Sequence, residues 1–598
     1  MKCGLELHVQ VNGSKLFCRC PSIEDVKSEP DYVIKRKLHA VKGESGKTDY
    51  AAKKEAEKNR IIKYNCYNEN TCLVDIDEEP PREIDEYSLK TGIEIAILLN
   101  MKPVDELQIM RKVIIDGSAV SGFQRTGLLA TNGWIDTSQG RVKIATLCIE
   151  EDSAKRIDDN TFSLERLGIP LIEIATEPDI KSAFHAREVA EKIGMLCKFT
   201  GKIAKGIGSI RQDVNVSVPN GARVEIKGVQ DLAMMPKFVE CEVMRQENLL
   251  KIKDELNKKK VSLGNWKDVS IAFLGTKCDF LKNQKIYGFK LINAKGILGY
   301  KIQKEKSFGK EIAEHLKAEL SINGILHKDE LPNYGISIEE TRKAEKLLGC
   351  LEKDNFILIA CNDEKIVSAQ KLLNEVLNKS KKGIIEEVRA PNHSDGTNSY
   401  MRPLPSSKRM YPETDVPAIR ILGEMISNII SNLSKTPEEK YAWLKSTGLN
   451  DELCSQLIKS NKLRIYELIL EKTNANNSTV ASILMMNPAE KLSDDYLVLL
   501  FKLLEENELC KESIPLIIEG VIKKENINDL IKKYRQLSQK ELKLKIRDII
   551  NNSKGLEEFN AFGIIMKKAL DELRGKADAG LISKIAKELM DNDKSKRE

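Results

Sequence analysis

Five well-separated segments alternate apolar and polar residues with period two, and this pattern limits the fold more than any other feature of the chain. In GLELHVQV, Leu5, Leu7, Val9 and Val11 share one face, while Gly4, Glu6, His8 and Gln10 share the other. SIRQDVNVSV sets Ile210, Val214, Val216 and Val218 against Arg211, Asp213, Asn215 and Ser217. RVEIK sets Val224 and Ile226 against Arg223, Glu225 and Lys227. In PLIEIATEP, Glu173 and Glu177 oppose Ile172 and Ile174, and VKIATLCI runs into Glu150, Glu151 and Asp152. Each segment reads as a half-buried strand of antiparallel type, with one face in a core.

For any one strand, a plain solvent face explains the polar row. Taken together, the rows carry acids from distant parts of the chain, plus a histidine. Like charges on adjoining strands repel unless a cation sits among them. Hard carboxylate oxygens with one imidazole suit Mg²⁺ or Mn²⁺ holding a nucleotide, and phosphoryl transfer needs such neutralisation more than a covalent nucleophile. GESGKT at Gly43–Thr48 is no P-loop, because the first glycine of that motif falls on Val41 and no strand precedes it.

With 598 residues the chain is several domains long. We expect a multidomain α+β protein. Residues 1–266 and 391–418 form an α+β domain whose helices include Tyr87–Met101 and Phe184–Phe199. An α+β insert spans 267–390, an all-α domain 419–530 and a small helical tail 531–598. Leu497, Leu500, Phe501 and Leu504 sit at helical spacing within Asp494–Glu506. No apolar run reaches the roughly 18 residues that span a bilayer, and Glu6 and His8 interrupt the N-terminus, so a cytoplasmic protein without membrane contact is expected.

Thirteen scattered cysteines, an odd number, do not form a disulfide framework. Cys18 and Cys20 make a CxC, and with Cys66 and Cys72 they could bind zinc; free thiols fit this weak pattern as well. The net charge of +6 sits wholly in residues 531–598, where 17 basic side chains face 11 acidic ones. A phosphate-rich partner would be drawn there, although a solvated helical face has the same composition.

Several longer stretches resemble one family: GLELHVQVNGSKLFCRC, TCLVDIDEEPP, DGSAVSGFQRTG, CIEEDSAK, RLGIPLIEIATEPDI, GSIRQDVNVSV with RVEIKGVQDL, YMRPLPSSKRMYPETDVP and, near the end, GKADAGLI. They are similar to the B/E family of glutamyl-tRNA(Gln) amidotransferases, which convert misacylated Glu-tRNA(Gln) to Gln-tRNA(Gln). SGFQRT, the insert and the RPLP…RMYPETD segment lie on the archaeal, E-type side of that family. The resemblance implies a cradle-like antiparallel α+β catalytic domain, an insert like a domain of bacterial-type aspartyl-tRNA synthetases, and a helical domain and tail that touch tRNA. It implies an ATP- and Mg²⁺-dependent carbon–nitrogen ligase. The enzyme phosphorylates the γ-carboxylate of the tRNA-bound glutamate, and ammonia from an asparaginase-like glutaminase, the D-type partner, displaces the phosphate. Two D-type and two E-type chains would form a heterotetramer.

Carried onto this sequence, the family's catalytic acids correspond to Glu6, His8, Glu150 and Glu151, with Asp213 and Glu225 lining the same pocket. Glu6, His8 and Glu150 are the expected Mg²⁺ ligands. Arg211, Lys227, Arg402 and Arg409 are our own candidates to hold phosphates, since guanidinium forks fit phosphate oxygens. Bacterial relatives carry a CxC…CxxC zinc knuckle; here Cys18, Cys20 and Cys72 align and Cys66 is displaced, which leaves zinc open. A tRNA-binding scaffold without a kinase site is the alternative function. An aminoacyl-tRNA synthetase is a third, though neither HIGH nor KMSKS occurs.

Overall fold

A computed structural model describes residues 1–594 except 23–28, 38–41, 43–45, 47, 49–52, 54–55, 58, 115, 207, 283, 405–409, 434, 461 and 553–560. Its backbone contacts divide the chain into two compact units, Met1–Ser434 and Lys435–Glu598.

The first unit is built on an eleven-stranded sheet. In chain order its strands are β1 (Lys2–Gln10), β2 (Lys102–Pro103), β3 (Ile109–Val113), β4 (Phe123–Thr137), β5 (Gly140–Glu151), β6 (Pro170–Thr176), β7 (Ile210–Ser217), β8 (Val224–Ile226), β9 (Glu387–Pro391), β10 (Asn398–Pro403) and β11 (Met410–Pro412). Their spatial order is β10-β9-β8-β7-β1-β6-β5-β4-β3-β11, with β2 on β4. The N-terminal strand therefore lies inside the sheet, between β6 and β7.

The alternating rows sort as their spacing requires. Leu5, Leu7, Val9, Ile172, Ile174, Val214, Val216 and Ile226 are fully buried in one core. The helices α1 (Glu86–Leu98), α2 (Ala183–Phe199) and α3 (Met235–Lys258) pack on that side. Asp85 caps α1 by accepting from Ser88 N at 2.8 Å, and Ser182 caps α2 by accepting from His185 N at 3.1 Å. At Gly92 of α1 a Cβ would come within 2.6 Å of Leu129 and 3.0 Å of Ile172, so the absent side chain lets the helix lie on the sheet.

Neighbouring strands of this sheet pair antiparallel except β8 and β9, which are parallel. A parallel pair needs a long crossover, and the insert supplies it. Its own four-stranded sheet is Ser262–Asp268, Ile286–Ile292, Asn355–Ala360 and Leu326–His327, packed with α4 (Phe308–Leu320), α5 (Ile338–Leu348) and α6 (Asp363–Lys382). Ser262–Asp268 already belongs to the insert sheet and Glu387–Pro391 to the large one, so the insert lies some residues earlier than the expected 267–390. Helix α3 serves both cores: Phe238 and Val239 pack under the large sheet, Ile252 and Leu256 in the insert.

The second unit is helical throughout its described residues. We expected it to start at 419, but the helix Gly423–Ser431 packs Met425, Ile426 and Ile429 on the large-sheet core, so the compact helical unit starts at Lys435. Leu497, Leu500 and Phe501 are buried within it, and Leu542, Ile546, Ile549, Ala569 and Ile585 belong to a separate apolar cluster near its end. Among the described residues no helix is long and apolar enough to cross a membrane.

Candidate active site

The polar side of the large sheet gathers carboxylates from β1, β5, β6, β7 and β8. Register does this. Along β1, Glu6 faces Asp213 and Ala175, and His8 faces Arg211 and Glu173. Next to these, Leu171 pairs with Glu150 and Asn215 with Glu225.

Two groups form. In the first, His8 Nε2 lies 3.5 Å from Glu150 Oε1 and 3.3 Å from Glu173 Oε2, while Lys112 Nζ of β3 lies 2.6 Å from Glu150 Oε2 and 3.4 Å from Glu173 Oε2. In the second, Glu6, Asp213 and Glu225 converge. There Lys227 Nζ donates to Asp213 Oδ2 at 2.8 Å and lies 2.5 Å from Glu225 Oε1. Gly228 N donates to Asp213 Oδ1 at 2.8 Å and Asn215 Nδ2 to Glu6 Oε1 at 3.1 Å. Within each trio, His8/Glu150/Glu173 and Glu6/Asp213/Glu225, one ligand atom per residue lies within 4.8 Å of the others. The structure thus does not gather Glu6, His8 and Glu150 around one point: Glu6 sits one pleat along β1 from His8, over Asp213.

The electrostatics of the two groups differ. Burial works against a charged His8, yet the hydrogen bond to Glu173 and the charges of Glu150 and Glu173 outweigh it and raise the imidazole to about 9. Burial would also raise Glu173, but Lys112 and His8 hold it well below the usual carboxylate range. Two carboxylates there meet one ammonium and one imidazolium. The second group has three carboxylates and one ammonium. Burial, then the charges of Glu225, Glu173 and Asp213, push Glu6 up to about 7. Burial is overcome at Asp213 by Lys227, which keeps that carboxyl low. The second group is therefore short of positive charge, and burial with the neighbouring carboxylates shifts Glu6 toward its neutral form.

Glu151 points away from both groups, as its place next to Glu150 in a strand requires. Its Oε2 accepts from Arg125 N at 2.9 Å, and Arg125 Nε donates to Glu413 Oε2 at 2.7 Å. Of the four candidate phosphate holders, Lys227 is paired as above and Arg211 Nη2 donates to Asp152 Oδ1 at 3.0 Å. Arg402 of β10 is in register with Val388, and its buried Nε has no partner among the described residues. Arg409 lies outside the described residues.

Cys18, Cys20 and Cys72 come together with Asp75, one ligand atom of each within 4.8 Å of the rest. The hydrogen bonds that Cys72 accepts from Cys18 and Cys20 pull its thiol well below the usual range. Cys66 is not one of the four: it ends the strand Ile61–Cys66, and its Sγ lies 3.6 Å from Tyr64 O. Asp75 takes the fourth place expected for Cys66, and three thiols with a carboxylate suit tetrahedral zinc.

Residues 1–427 match the model of a family described as "GatB/GatE catalytic domain". The chain belongs to the GatB/GatE family. It is similar along nearly its whole length to the E subunit of glutamyl-tRNA(Gln) amidotransferase from Methanocaldococcus jannaschii, at 40% identity over 98% of this chain and 97% of the relative. The proteins of that name from Methanococcus maripaludis, at 38% identity over 98% of this chain and 97% of the relative, and Saccharolobus islandicus, at 39% over 99% and 98%, match likewise.

Four residues that the structure brings into these clusters were not singled out from sequence. Glu173 and Asp152 lay in the acid-bearing runs, and alternation with Ile172 and with Glu150 would have put both on the polar face. Asp75 needed a carboxylate to be admitted as a fourth ligand three residues after Cys72. Lys112 had no signal, because IMRKV carries charge on both faces of β3.

Proposed function

We propose that this GatB/GatE chain converts Glu-tRNA(Gln) to Gln-tRNA(Gln) as the kinase and transamidase component of a cytoplasmic amidotransferase. Its substrates would be ATP and the glutamate esterified to tRNA, with ammonia supplied by an asparaginase-like glutaminase, the D-type partner, in an assembly of two D-type and two E-type chains. The cradle-like sheet would hold the reaction, while the synthetase-like insert, the helical unit and the tail would meet the tRNA. The observation that carries this reading is the polar face on which two acid groups alternate with Lys112 and Lys227.

The donor set fits Mg²⁺. Glu6, Asp213 and Glu225 offer oxygen ligands in a group short of positive charge, with Glu150, Glu173 and His8 adjacent. When bound there, the ion would offset the charge of the nucleotide phosphates. The chain's own side chains would do the rest. A carboxylate is a poor acyl donor because its oxygen leaves badly; phosphorylation of the γ-carboxylate makes phosphate the leaving group, and ammonia then forms the amide. Lys112 and Lys227 place positive charge where oxyanions would lie. His8, protonated beside Glu150 and Glu173, would hold their orientation rather than take a proton from ammonia. Water would destroy the acyl phosphate, so ammonia would travel along the polar face from the partner.

The test is amide formation on Glu-tRNA(Gln) by the purified chain with its glutaminase partner, ATP, Mg²⁺ and glutamine. Glu6→Gln, His8→Ala and Glu150→Gln should each lower the rate at least roughly a hundred-fold, on the scale of losing a well-placed electrostatic group, with tRNA affinity kept. Full activity in all three would remove the site assignment. Tight tRNA binding with no ATP-dependent amide from wild type would favour a scaffold instead.

A further inference from the structure

Asp152 follows the acid pair on β5 and has no place in either acid group. It is 2% exposed. Arg166 donates to its Oδ2 twice, from Nε at 3.2 Å and Nη2 at 2.7 Å, and Arg211 donates to its Oδ1 from Nη2 at 3.0 Å. One buried carboxylate thus fixes two guanidinium groups that come from different parts of the chain, the loop before β6 and the strand β7.

Asp152 is itself tied down: its N donates to Ile169 O at 2.7 Å, and Gly168 N donates to its carbonyl at 3.0 Å. The guanidinium groups are not enclosed. The side chains of Arg166 and Arg211 are 28% and 26% exposed. Among the described residues, Asp152 is the one acidic partner of each, so Arg166 Nη1 and the Nε and Nη1 of Arg211 remain open to a ligand. The trio holds one positive charge in excess. Arg211 is in register with His8 on β1, so the two side chains leave the same face of the sheet.

We infer that Arg166 and Arg211 form a paired clamp for phosphate oxygens of the nucleotide, and that Asp152 is the positioning residue that holds both in place. The inference rests on the proposed use of ATP. Two forks locked by a shared carboxylate present several N–H donors at little further ordering cost, and this arrangement suits a polyphosphate better than a single carboxylate. Arg166 is the new ligand-touching residue; Asp152 acts through the two arginines.

Calorimetry on the full chain tests this, with Mg·ATP and inorganic tripolyphosphate as probes and wild type beside Arg166→Ala, Arg166→Lys and Asp152→Asn. Arg166→Ala should weaken both probes roughly ten-fold or more, the size of a lost charge-assisted hydrogen bond. Arg166→Lys should recover only part, since an ammonium cannot serve phosphate and Asp152 as a fork does. In the amidation assay the same variants should raise KM for ATP more than they lower kcat, a split that simple misfolding would not produce. If Asp152→Asn fails to fold, Arg166→Ala, on a partly exposed loop, still decides. Equal probe affinity in wild type and Arg166→Ala overturns the clamp and leaves ATP use standing. Weakened tRNA binding with unchanged ATP affinity also overturns it, by moving the phosphate to the RNA backbone. Failure of wild type to bind either probe overturns both the clamp and the ATP reading.

Discussion

Asp75 divides its two oxygens between different partners. Oδ2 accepts from Lys15 Nζ at 3.2 Å and from Cys72 N at 3.1 Å, while Oδ1 faces Cys18 Sγ at 3.8 Å. Burial pushes its carboxyl up to about 6 against the pull of Lys15, so a cation on the thiol side would stabilise the ionised form. Lys15, fully buried and also donating to Leu164 O at 3.1 Å, holds the carboxylate in place as an outer partner of a metal site does. Elemental analysis of protein produced in zinc-replete medium should find about one zinc per chain. Cys72→Ser and Asp75→Ala should each lower occupancy at least roughly ten-fold, and Cys66→Ser should not change it. A metal-free wild type, or equal loss in Cys66→Ser, would sink the assignment. The contrast between Cys66 and Asp75 also marks what single residues can tell a reader. Cysteine spacing drew attention to the right lobe, but the choice of fourth ligand depends on a turn in which Asp75 accepts from the backbone of Cys72. Glu151 is the opposite case: alternation alone set it on the other face from Glu150, and the resemblance to a tandem acid motif masked that signal.

At the scale of elements, the parallel pair β8 and β9 joins the insert to the large sheet through a buried ionic network. Arg389 of β9 donates to both oxygens of Glu311 on α4, at 2.7 and 2.9 Å, and to Glu387 at 2.5 Å. Arg245 of α3 donates to Glu242 at 2.8 Å and to Glu311 at 2.7 Å, and lies 3.1 Å from Glu387. Arg389 and Arg245 are 0% and 1% exposed. Charges this deep need every partner, because removing one leaves the others desolvated and unpaired. Arg389→Met should therefore cost about 3–5 kcal/mol. Arg389→Lys should recover part of that, since a point charge cannot bridge Glu311 and Glu387 as a fork does. By contrast, breaking the exposed pair of Arg141 and Asp136, 2.9 Å apart, should matter far less, as surface ion pairs do. Urea unfolding of the full chain, followed through the transition that includes residues 1–434, separates the two; similar losses would mean that Arg389 is not the tie we describe. None of this was visible in sequence. The strands of the large sheet were legible because Leu5, Leu7 and Val9 alternate strictly with Gly4, Glu6 and His8. Which strand lies beside which depends on pairings such as Cys3 with Val216, more than two hundred residues apart, and no local pattern encodes them. Helix α3 hides the boundary further by feeding Phe238 to one core and Leu256 to another.

For the whole molecule, composition places the charge but not its purpose. The excess of six positive charges falls within residues 531–598, whose described helices have their own core of Leu542, Ile546, Ile565, Ala569 and Ile582. Lys543, Lys545 and Arg547 project to solvent from the helix Gln539–Asn551, in turns whose buried residues are Leu542, Ile546, Ile549 and Ile550. An apolar stripe facing in and cations facing out suits a solvated amphipathic helix and a phosphate-gripping one alike. Salt dependence separates them. A cation that meets a phosphate releases counterions on binding, and each such contact adds about 0.7–0.9 to the slope of log affinity against log salt. Replacing Lys543, Lys545 and Arg547 together with glutamine touches no buried residue and should leave the fold intact. If the tail grips tRNA through all three, the triple variant should bind tRNA several-fold more weakly at about 0.1 M salt, and its slope should fall by about 2–3. The loss should be similar for different tRNA sequences, because phosphates carry no base identity. An unchanged affinity and slope would show that these cations only keep the surface wet, and the tRNA contacts would then have to come from the insert or from the rest of the helical unit.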